Sequence, residues 1–495
     1  MKSPNFVLDK NNKAPLYRLF RSLITYLEYM PKAKINSNEN SKIIFDILDT
    51  LLNYVYELEI KLLESKPTKI LDFENEIFIF LEKINIEKNI AFNFLLDKMN
   101  LNLQNPHSEA ICKRSFESFQ NLINNKINNN KIFGIEKQEK EIIFIFIEKI
   151  KNIMNFRDNN KIIETIYNSS INKNINKEEI HFDKYLQSFI KIIDEICKNF
   201  IKIKEDKLYS NEKARNDIIN NISDIFLSIL DSFEMMFKQS ISGYQSINKS
   251  YYYIIVDDVY QQMDIISYNF IINKFIFYFL IILGDENKDI FEKIEKKFIN
   301  LVKLISRIIY DNNNNYGDSS FISLNQFYIN ELFNLCKYKT NEQIINIIHN
   351  YNIKINEEIF IKNYINISKT LTHLLIQKII ETLKKYIEDE NKSGGMPLNR
   401  GRIYEIITLL NNVKELEIFP HFYELKTAKF KKEEEKEINT LNIISENKKI
   451  HLFYIQPILN DFIFCKENSI KSLVKDIFNE FANIINLPKL INFDE

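Results

Sequence analysis

The adjacent residues Asp257 and Asp258 are a carboxylate pair that follows an apolar run, in the string YYYIIVDDVYQQMD. Paired aspartates on a helix can hold Mg²⁺ and so support metal-assisted chemistry on a diphosphate. Such a site needs a second aspartate-rich motif opposite the first, and the sequence has none with a matching pattern. We therefore expect a polar end to a buried helix, with an all-α metal-dependent enzyme as the alternative.

Other catalytic and metal-binding motifs are missing from the sequence. It contains no P-loop, no G-x-G-x-x-G and no G-x-S-x-G, and its six histidines form neither H-E-x-x-H nor a close cluster. The four cysteines are too far apart for a metal site or a disulfide framework: Cys112, Cys197, Cys336 and Cys465. We expect a protein that is not an enzyme, has no cofactor or metal, and works in a reducing compartment.

A pair of arginines, Arg400 and Arg402, is the other set of residues with chemical potential. The chain has only eight arginines, and its other basic side chains are lysines. Two arginines so close together suggest that a planar, bidentate donor is required there. One interpretation is a structural clamp in which Arg402 pairs with Glu405 or Glu388. The other is an exposed pair that binds a partner's carboxylate or a lipid phosphate.

These arginines belong to a predicted helix–turn–helix between Leu371 and Pro420. Three of the chain's seven glycines lie in its turn, where two of them, Gly394 and Gly395, can end the first helix in a hinge. Pro397 then keeps the backbone extended before the second helix. Apolar residues recur every three or four positions in both helices: Leu371, Leu374, Leu375, Ile379, Leu383, Tyr386, then Ile403, Ile406, Ile407, Leu410, Val413, Leu416.

The composition favours an all-α fold. Hydrophobic residues make up 45% of the 495 residues and charged residues 27%, as in folded proteins. Seven glycines and nine prolines are few for folds that need many tight turns. The 66 basic residues balance the 67 acidic residues, so no overall positive field is available to bind nucleic acid.

Amphipathic patterns predict about fifteen to eighteen helices that pack as antiparallel neighbours. The fold expected is an α-solenoid of HEAT/armadillo-like antiparallel helix pairs. We divide it into an N-terminal region (1–157), a central region (158–310) and a C-terminal region (311–495) that contains the Gly394–Arg402 turn. Helices are predicted at 16–30, 41–64, 75–98 (as one or two), 139–154, 182–204, 214–240, 289–310, 324–338, 340–351, 357–370 and 469–485, and loops at 124–131, 159–179 and 311–320.

The stretch from Ile265 to Leu283 has the length of a membrane span, which needs about 20 apolar residues. Lys274 lies in its middle together with Asn269 and Asn273, and such side chains are costly in lipid. We expect a buried core helix, with a membrane-embedded protein as the alternative. The N-terminus has no apolar segment typical of a signal peptide.

The C-terminal region resembles the Mon-two (monensin sensitivity) family of large Golgi scaffolds, which is related to the BIG-type Arf guanine-nucleotide exchange factors but lacks their catalytic Sec-seven domain. The similar residues are Tyr386 to Glu390 (YIEDE), Gly394, Pro397, Arg400, Arg402, Glu405, Ile406 and Leu416, with ELFNLCKY from Glu331 to Tyr338 upstream. Asn399 stands where the family tends to have a second proline. The resemblance covers about a quarter of the chain, from Leu324 to Pro420, and the N-terminal half does not match.

The resemblance implies a non-enzymatic helical scaffold in vesicle-mediated protein transport. It implies a cytoplasmic protein, peripheral on Golgi and endosomal membranes, with a Dopey-like partner. Family members are several times longer than this chain. Residues that match the family's turn motif are the expected partner-binding residues: Pro397, Arg400, Arg402 and Glu405.

Overall fold

Every regular element that the structure describes is a helix. The structure is a computed structural model, and the predicted all-α class is confirmed in the residues it describes. These are residues 21–22, 25, 29, 43, 45–54, 72–83, 90–100, 106–129, 131–154, 182–202, 212–245, 265–286, 288–311, 341–349, 355–368, 370–371, 374, 468 and 470–476.

Nine principal helices are described along the chain. They are α1 (Asp72–Lys83), α2 (Ile90–Lys98), α3 (Pro106–Asn128), α4 (Lys137–Met154), α5 (Phe182–Ile201), α6 (Glu212–Gln245), α7 (Ile276–Leu283), α8 (Lys288–Asp311) and α9 (Asn341–His349). Unlabelled helical segments occupy residues 45–54, 357–368 and 470–476. The predicted helices at 139–154, 182–204, 214–240 and 289–310 are confirmed to within a few residues, and 75–98 is two helices.

The chain divides into two compact units, Met1–Ser267 and Tyr268–Glu495. The division into regions 1–157, 158–310 and 311–495 stays a prediction.

In the first unit, alternate helices run in the same direction and form two rows. Row A consists of segment 45–54, α2, α4 and α6, and row B consists of α1, α3 and α5. Within each row, residues further along one helix contact residues further along the neighbouring helix, as in parallel packing. In row A the contacts are Phe45 with Phe94, Asp49 with Lys98, Lys149 with Asn100, Asn221 with Ile135, and Lys140 with Asp224; in row B they are Glu74 with His107, Glu82 with Ser118, Phe116 with Tyr185, and Asn199 with Phe133.

Helices that are consecutive in the chain run antiparallel between the rows. In these pairs, residues further along one helix contact residues nearer the start of the next helix. The contacts are Phe92 with Phe119 and Asn100 with Ser108; Phe119 with Phe146 and Lys126 with Glu139; Phe189 with Phe233 and Phe200 with Phe226. Antiparallel pairs whose equivalent helices stack in parallel are the arrangement of a helical-repeat α-solenoid. This predicted architecture is therefore confirmed for the described part of the first unit.

A series of phenylalanines joins five successive helices of this unit. Phe92 on α2 contacts Phe119 on α3 at 5.0 Å between ring centroids, and Phe119 stacks on Phe146 of α4 at 4.9 Å. Phe146 contacts Phe189 of α5 at 5.4 Å, and Phe189 contacts Phe233 of α6 at 6.3 Å. All are buried. We call this set the phenylalanine series. Each helix gains its apolar contacts from its neighbours, so the unit depends on the whole stack.

The turn between α3 and α4 is held by buried polar contacts. Gly134 has a φ of 97°, and a Cβ there would lie 2.8 Å from Cδ1 of Ile143. Its N–H donates to Oε2 of Glu139 at 2.8 Å, and the carbonyl of Phe133 accepts from Nδ2 of Asn199 at 2.7 Å. These bonds satisfy the backbone of a turn that the packing encloses.

The predicted loop at 124–131 is wrong for its first half, because α3 continues to Asn128. No helix is predicted between residues 98 and 124, whereas α3 begins at Pro106. The apolar series of Phe116, Phe119, Ile123 and Ile127 keeps helical spacing into the asparagine-rich stretch, and all of these residues are buried. Tertiary packing therefore overrides the weak helix propensity of asparagine.

In the second unit, α7 is the apolar element against which others pack. Phe279 contacts Phe291 and Phe298 of α8 at 5.6 and 5.7 Å. Tyr364 of segment 357–368 stacks on Phe277 at 6.1 Å. Nδ2 of Asn363 donates to the Gly284 carbonyl at 2.8 Å, which satisfies a backbone acceptor at the end of α7.

The helix Ile265–Leu283 contains α7 and is long and apolar enough to cross a membrane by length and composition. Protein surrounds most of it, since 72% of its apolar window is buried, as the core-helix interpretation predicts. Asn269, Asn273 and Lys274 lie on its exposed side. Asn273 and Lys274 lie in a π-helical turn, Ile271–Phe275. This local irregularity is consistent with polar side chains that face water in a helix that is mostly buried.

Phe146→Ala is expected to destabilise the protein by about 3–5 kcal/mol, because it removes the ring that α3 and α5 share. Ile145→Ala is the matched control on the same helix, since Ile145 is 44% exposed, and its effect should stay within about 0.5 kcal/mol. Urea unfolding followed by circular dichroism measures both. Equal losses in the two variants would show that the phenylalanine series is not the core of this unit.

Alkaline carbonate extraction of membranes from cells that express the protein tests the buried-helix interpretation. We expect the chain in the supernatant, because Ile265–Leu283 packs against protein. Retention in the pellet together with an integral membrane marker would contradict this expectation and support a true span.

Candidate functional site

Both cysteines in the described residues are poor nucleophiles. Burial, with a smaller contribution from the nearby Glu109 carboxylate, raises the pKa of the Cys112 thiol to about 12. Burial also raises the pKa of Cys197 well above its usual value, and Asp194 adds to the effect. A thiol reacts as its thiolate, so neither is suited to nucleophilic chemistry near neutral pH.

The buried histidine of the first unit contacts a carboxylate. Nε2 of His107 lies 2.5 Å from Oε1 of Glu74, and both side chains are at most 1% exposed. The pair joins the first turn of α3 to α1. Among the residues described, no group of three or more His, Cys, Asp or Glu side chains could hold a metal ion.

A second polar cluster on α1 and α3 uses an arginine as a clamp. Nε of Arg114 donates to Asn75 at 2.8 Å, and Nη1 donates to Oε1 of Glu82 at 2.8 Å and to Ser118 at 2.9 Å. The guanidinium also lies 5.6 Å from the centre of the Phe78 ring. Arg114 thus ties two helices of row B together through its several donors.

The outer surface of row A carries a stripe of exposed residues on each helix, mostly spaced three or four apart. We call these stripes together the row A surface. Among the row A side chains whose exposure the structure describes, the exposed charged residues are acidic except for Lys137 and Lys238. Its members are Asp46, Thr50 and Asn53 on segment 45–54; Asn93 and Asp97 on α2, with Asn100 following; Glu141, Ile145 and Glu148 on α4; and Asp217, Asn220, Asp224 and Asp231 on α6.

Row B differs in charge on its exposed side. Helix α3 exposes one positive residue, Lys113, and one negative residue, Glu117. Helix α5 exposes Lys191 and Lys198, and Lys202 follows the helix. The two rows of one unit therefore present different electrostatic surfaces, although the whole chain is almost neutral.

Ile145 is an exposed apolar residue of the row A surface on α4, and Tyr54 on segment 45–54 is another exposed apolar residue of this row. The side chain of Ile145 is 44% exposed, whereas Ile142, Ile143, Phe146 and Ile147 on the same helix are buried. It lies one turn from Glu141 and one turn from Glu148. An apolar residue within a polar surround is the arrangement found at the centre of protein–protein interfaces.

The residues predicted to bind a partner lie outside the described residues: Pro397, Arg400, Arg402 and Glu405, with the hinge residues Gly394 and Gly395. The carboxylate pair Asp257 and Asp258 lies outside them as well. The roles of these residues stay predictions. The row A surface was not predicted from the sequence. The sequence pattern that corresponds to it is a set of polar residues at helical spacing on alternate helices.

Comparisons with known proteins add little to this picture. No family model matches the chain, and no curated protein matches it. A solved structure described as "Circular tandem repeat protein with novel repeat topology and enhanced subunit contact surfaces" aligns over 95% of this chain and 96% of its own, at 9% identity and a TM-score of 0.23. A similarity at that TM-score carries no argument about fold or function.

Iodoacetamide at pH 8 should leave Cys112 of the native protein unlabelled, because its pKa of about 12 keeps it protonated and the helix stack covers it. Peptide mapping by mass spectrometry measures this, and unfolding in urea is the control that should permit labelling. Rapid labelling of native Cys112 would show that the site is open and its thiolate accessible.

Proposed function

We propose that this protein is a non-enzymatic helical-repeat scaffold that binds partner proteins in vesicle traffic at Golgi and endosomal membranes. It works in the cytoplasm as a peripheral membrane protein and uses no cofactor. Its partners are trafficking proteins, a Dopey-like protein among them, and it does not bind nucleic acid.

The architecture of the first unit is the observation that supports a scaffold. Two rows of stacked helices give an extended surface in which side chains from successive helices lie side by side. Helical-repeat proteins use such surfaces for binding. Burial raises the pKa of both described thiols, and the half-buried Arg114 donates to Glu82, so these groups fit structural roles.

The Golgi assignment is supported by the resemblance to the Mon-two family at the turn between the predicted C-terminal helices. Gly394, Pro397, Arg400 and Arg402 match the family's turn, and Glu405 begins its following helix motif. In this proposal the two arginines bind a carboxylate of the partner through bidentate hydrogen bonds.

Affinity purification of the tagged protein from its own cells, compared between wild type and Arg400→Ala/Arg402→Ala, tests the proposal. We expect wild type to recover Golgi and endosomal trafficking proteins, and the double variant to recover about tenfold less, because charge-assisted hydrogen bonds are lost. Quantitative mass spectrometry measures the ratio.

Lys392→Ala is the matched control, since it removes a positive charge from the same turn outside the quoted motif. It should recover as much as wild type. If wild type recovers no trafficking protein, the assignment fails. If the double variant recovers as much as wild type, the scaffold stands and the arginines act as a structural clamp.

A further inference from the structure

We propose that the row A surface binds a basic amphipathic segment of a partner protein, in which lysines or arginines surround a large apolar residue. This inference rests on the proposed scaffold function and names the chemistry of a partner. It concerns residues of the first unit that are distinct from the predicted arginine site.

The charge of the surface is the first argument. Several lysines of row A are paired within the row: Lys98 with Asp49, Lys140 with Asp224 at 2.6 Å, and Lys151 with Glu148 at 3.1 Å. These pairs offset part of the positive charge that the row carries, and Lys137 and Lys149 form no ion pair within the described residues. Asp46, Glu141 and Asp217 form no ion pair within the described part of the chain, so an acidic excess remains at the surface.

The exposed isoleucine is the second, independent argument. Burying a side chain such as Ile145 against a partner releases water from apolar area and stabilises the complex. Its position between Glu141 and Glu148 places the Glu141 carboxylate on one side of that contact and the Glu148 carboxylate, with its partner Lys151, on the other. A buried apolar anchor with a charged rim is the arrangement in which a few residues supply most of the binding free energy.

The chemistry of the surface decides between classes of partner. Nucleic acids and lipid phosphates are anionic, and the carboxylates of row A repel them. A basic helix that crosses the row would contact the exposed residues of neighbouring row A helices, because packed helices lie about 8–10 Å apart. Lysine or arginine side chains can span that distance, and an apolar residue between them can reach Ile145.

Row B provides the internal comparison, because it belongs to the same unit and differs in charge. Glu117 on α3 is an exposed acid like Glu141, but its row exposes Lys113 and Lys191, together with Lys198, which pairs with Asp194 and Glu195. A partner attracted only by exposed carboxylates would respond equally to changes at Glu117 and Glu141. A partner that binds the row A surface would respond only to Glu141.

Fluorescence anisotropy with a labelled peptide tests the proposal on the full-length protein. The probe is a helical peptide of lysine and leucine with all leucines on one face, and its counterpart has glutamate in place of lysine. We expect the basic peptide to bind and the acidic one not to bind. We expect Glu141→Lys and Ile145→Ser each to weaken binding about threefold to tenfold, through lost rim attraction and lost apolar contact.

The matched control is Glu117→Lys, the same charge reversal in row B, which should leave the Kd within about twofold of wild type. Circular dichroism confirms that each variant is folded. The proposal is overturned if wild type does not bind the basic peptide. It is also overturned if Glu141→Lys and Glu117→Lys weaken binding equally, or if Ile145→Ser binds as wild type does.

The same variants separate this inference from the proposed function. If Glu141→Lys/Ile145→Ser recovers the trafficking proteins from cells as well as wild type does, the scaffold stands and the row A surface is not its binding site. If the peptide binds as expected but wild type recovers no trafficking protein, the surface stands and the Golgi assignment fails.

Discussion

The first unit depends on the burial of one aromatic face per helix against the helices before and after it. The phenylalanine series from Phe92 to Phe233 crosses five helices with ring centroids 4.9–6.3 Å apart. An amphipathic helix of this kind has no place for its apolar face without neighbours, so stability is a property of the stack. The phenylalanines of the described helices have this structural explanation.

Polar contacts add directional constraints on register to the apolar packing. A hydrogen bond depends on both distance and angle, so it fails if its partner moves. Arg114 with Glu82 fixes α1 against α3, and Asn199 with the Phe133 carbonyl fixes α5 against the turn before α4. Gly134, with its positive φ, permits that turn to be tight enough for both rows to continue.

The all-α class and most helix bounds could be predicted, because apolar residues at helical spacing are a local signal. Helix α3 was not predicted; its asparagine-rich end disfavours a helix locally, and only the burial of Ile123 and Ile127 in the core reveals that end. The arginine site at Arg400 and Arg402 stays a prediction from resemblance. The row A surface was beyond prediction for a different reason, since it requires knowing that alternate helices are neighbours and Ile145 faces outward.

A near-neutral chain can still carry strong local fields. The balance of 66 basic and 67 acidic residues excludes a global attraction for polyanions, yet it says nothing about where each sign lies. At physiological ionic strength, exposed charges interact over about 8 Å, roughly the distance between adjacent helices. A partner therefore senses the charges of the row it touches and little of the rest. Because folding assigns alternate helices to opposite rows, the first unit separates exposed charges that are mixed along the sequence.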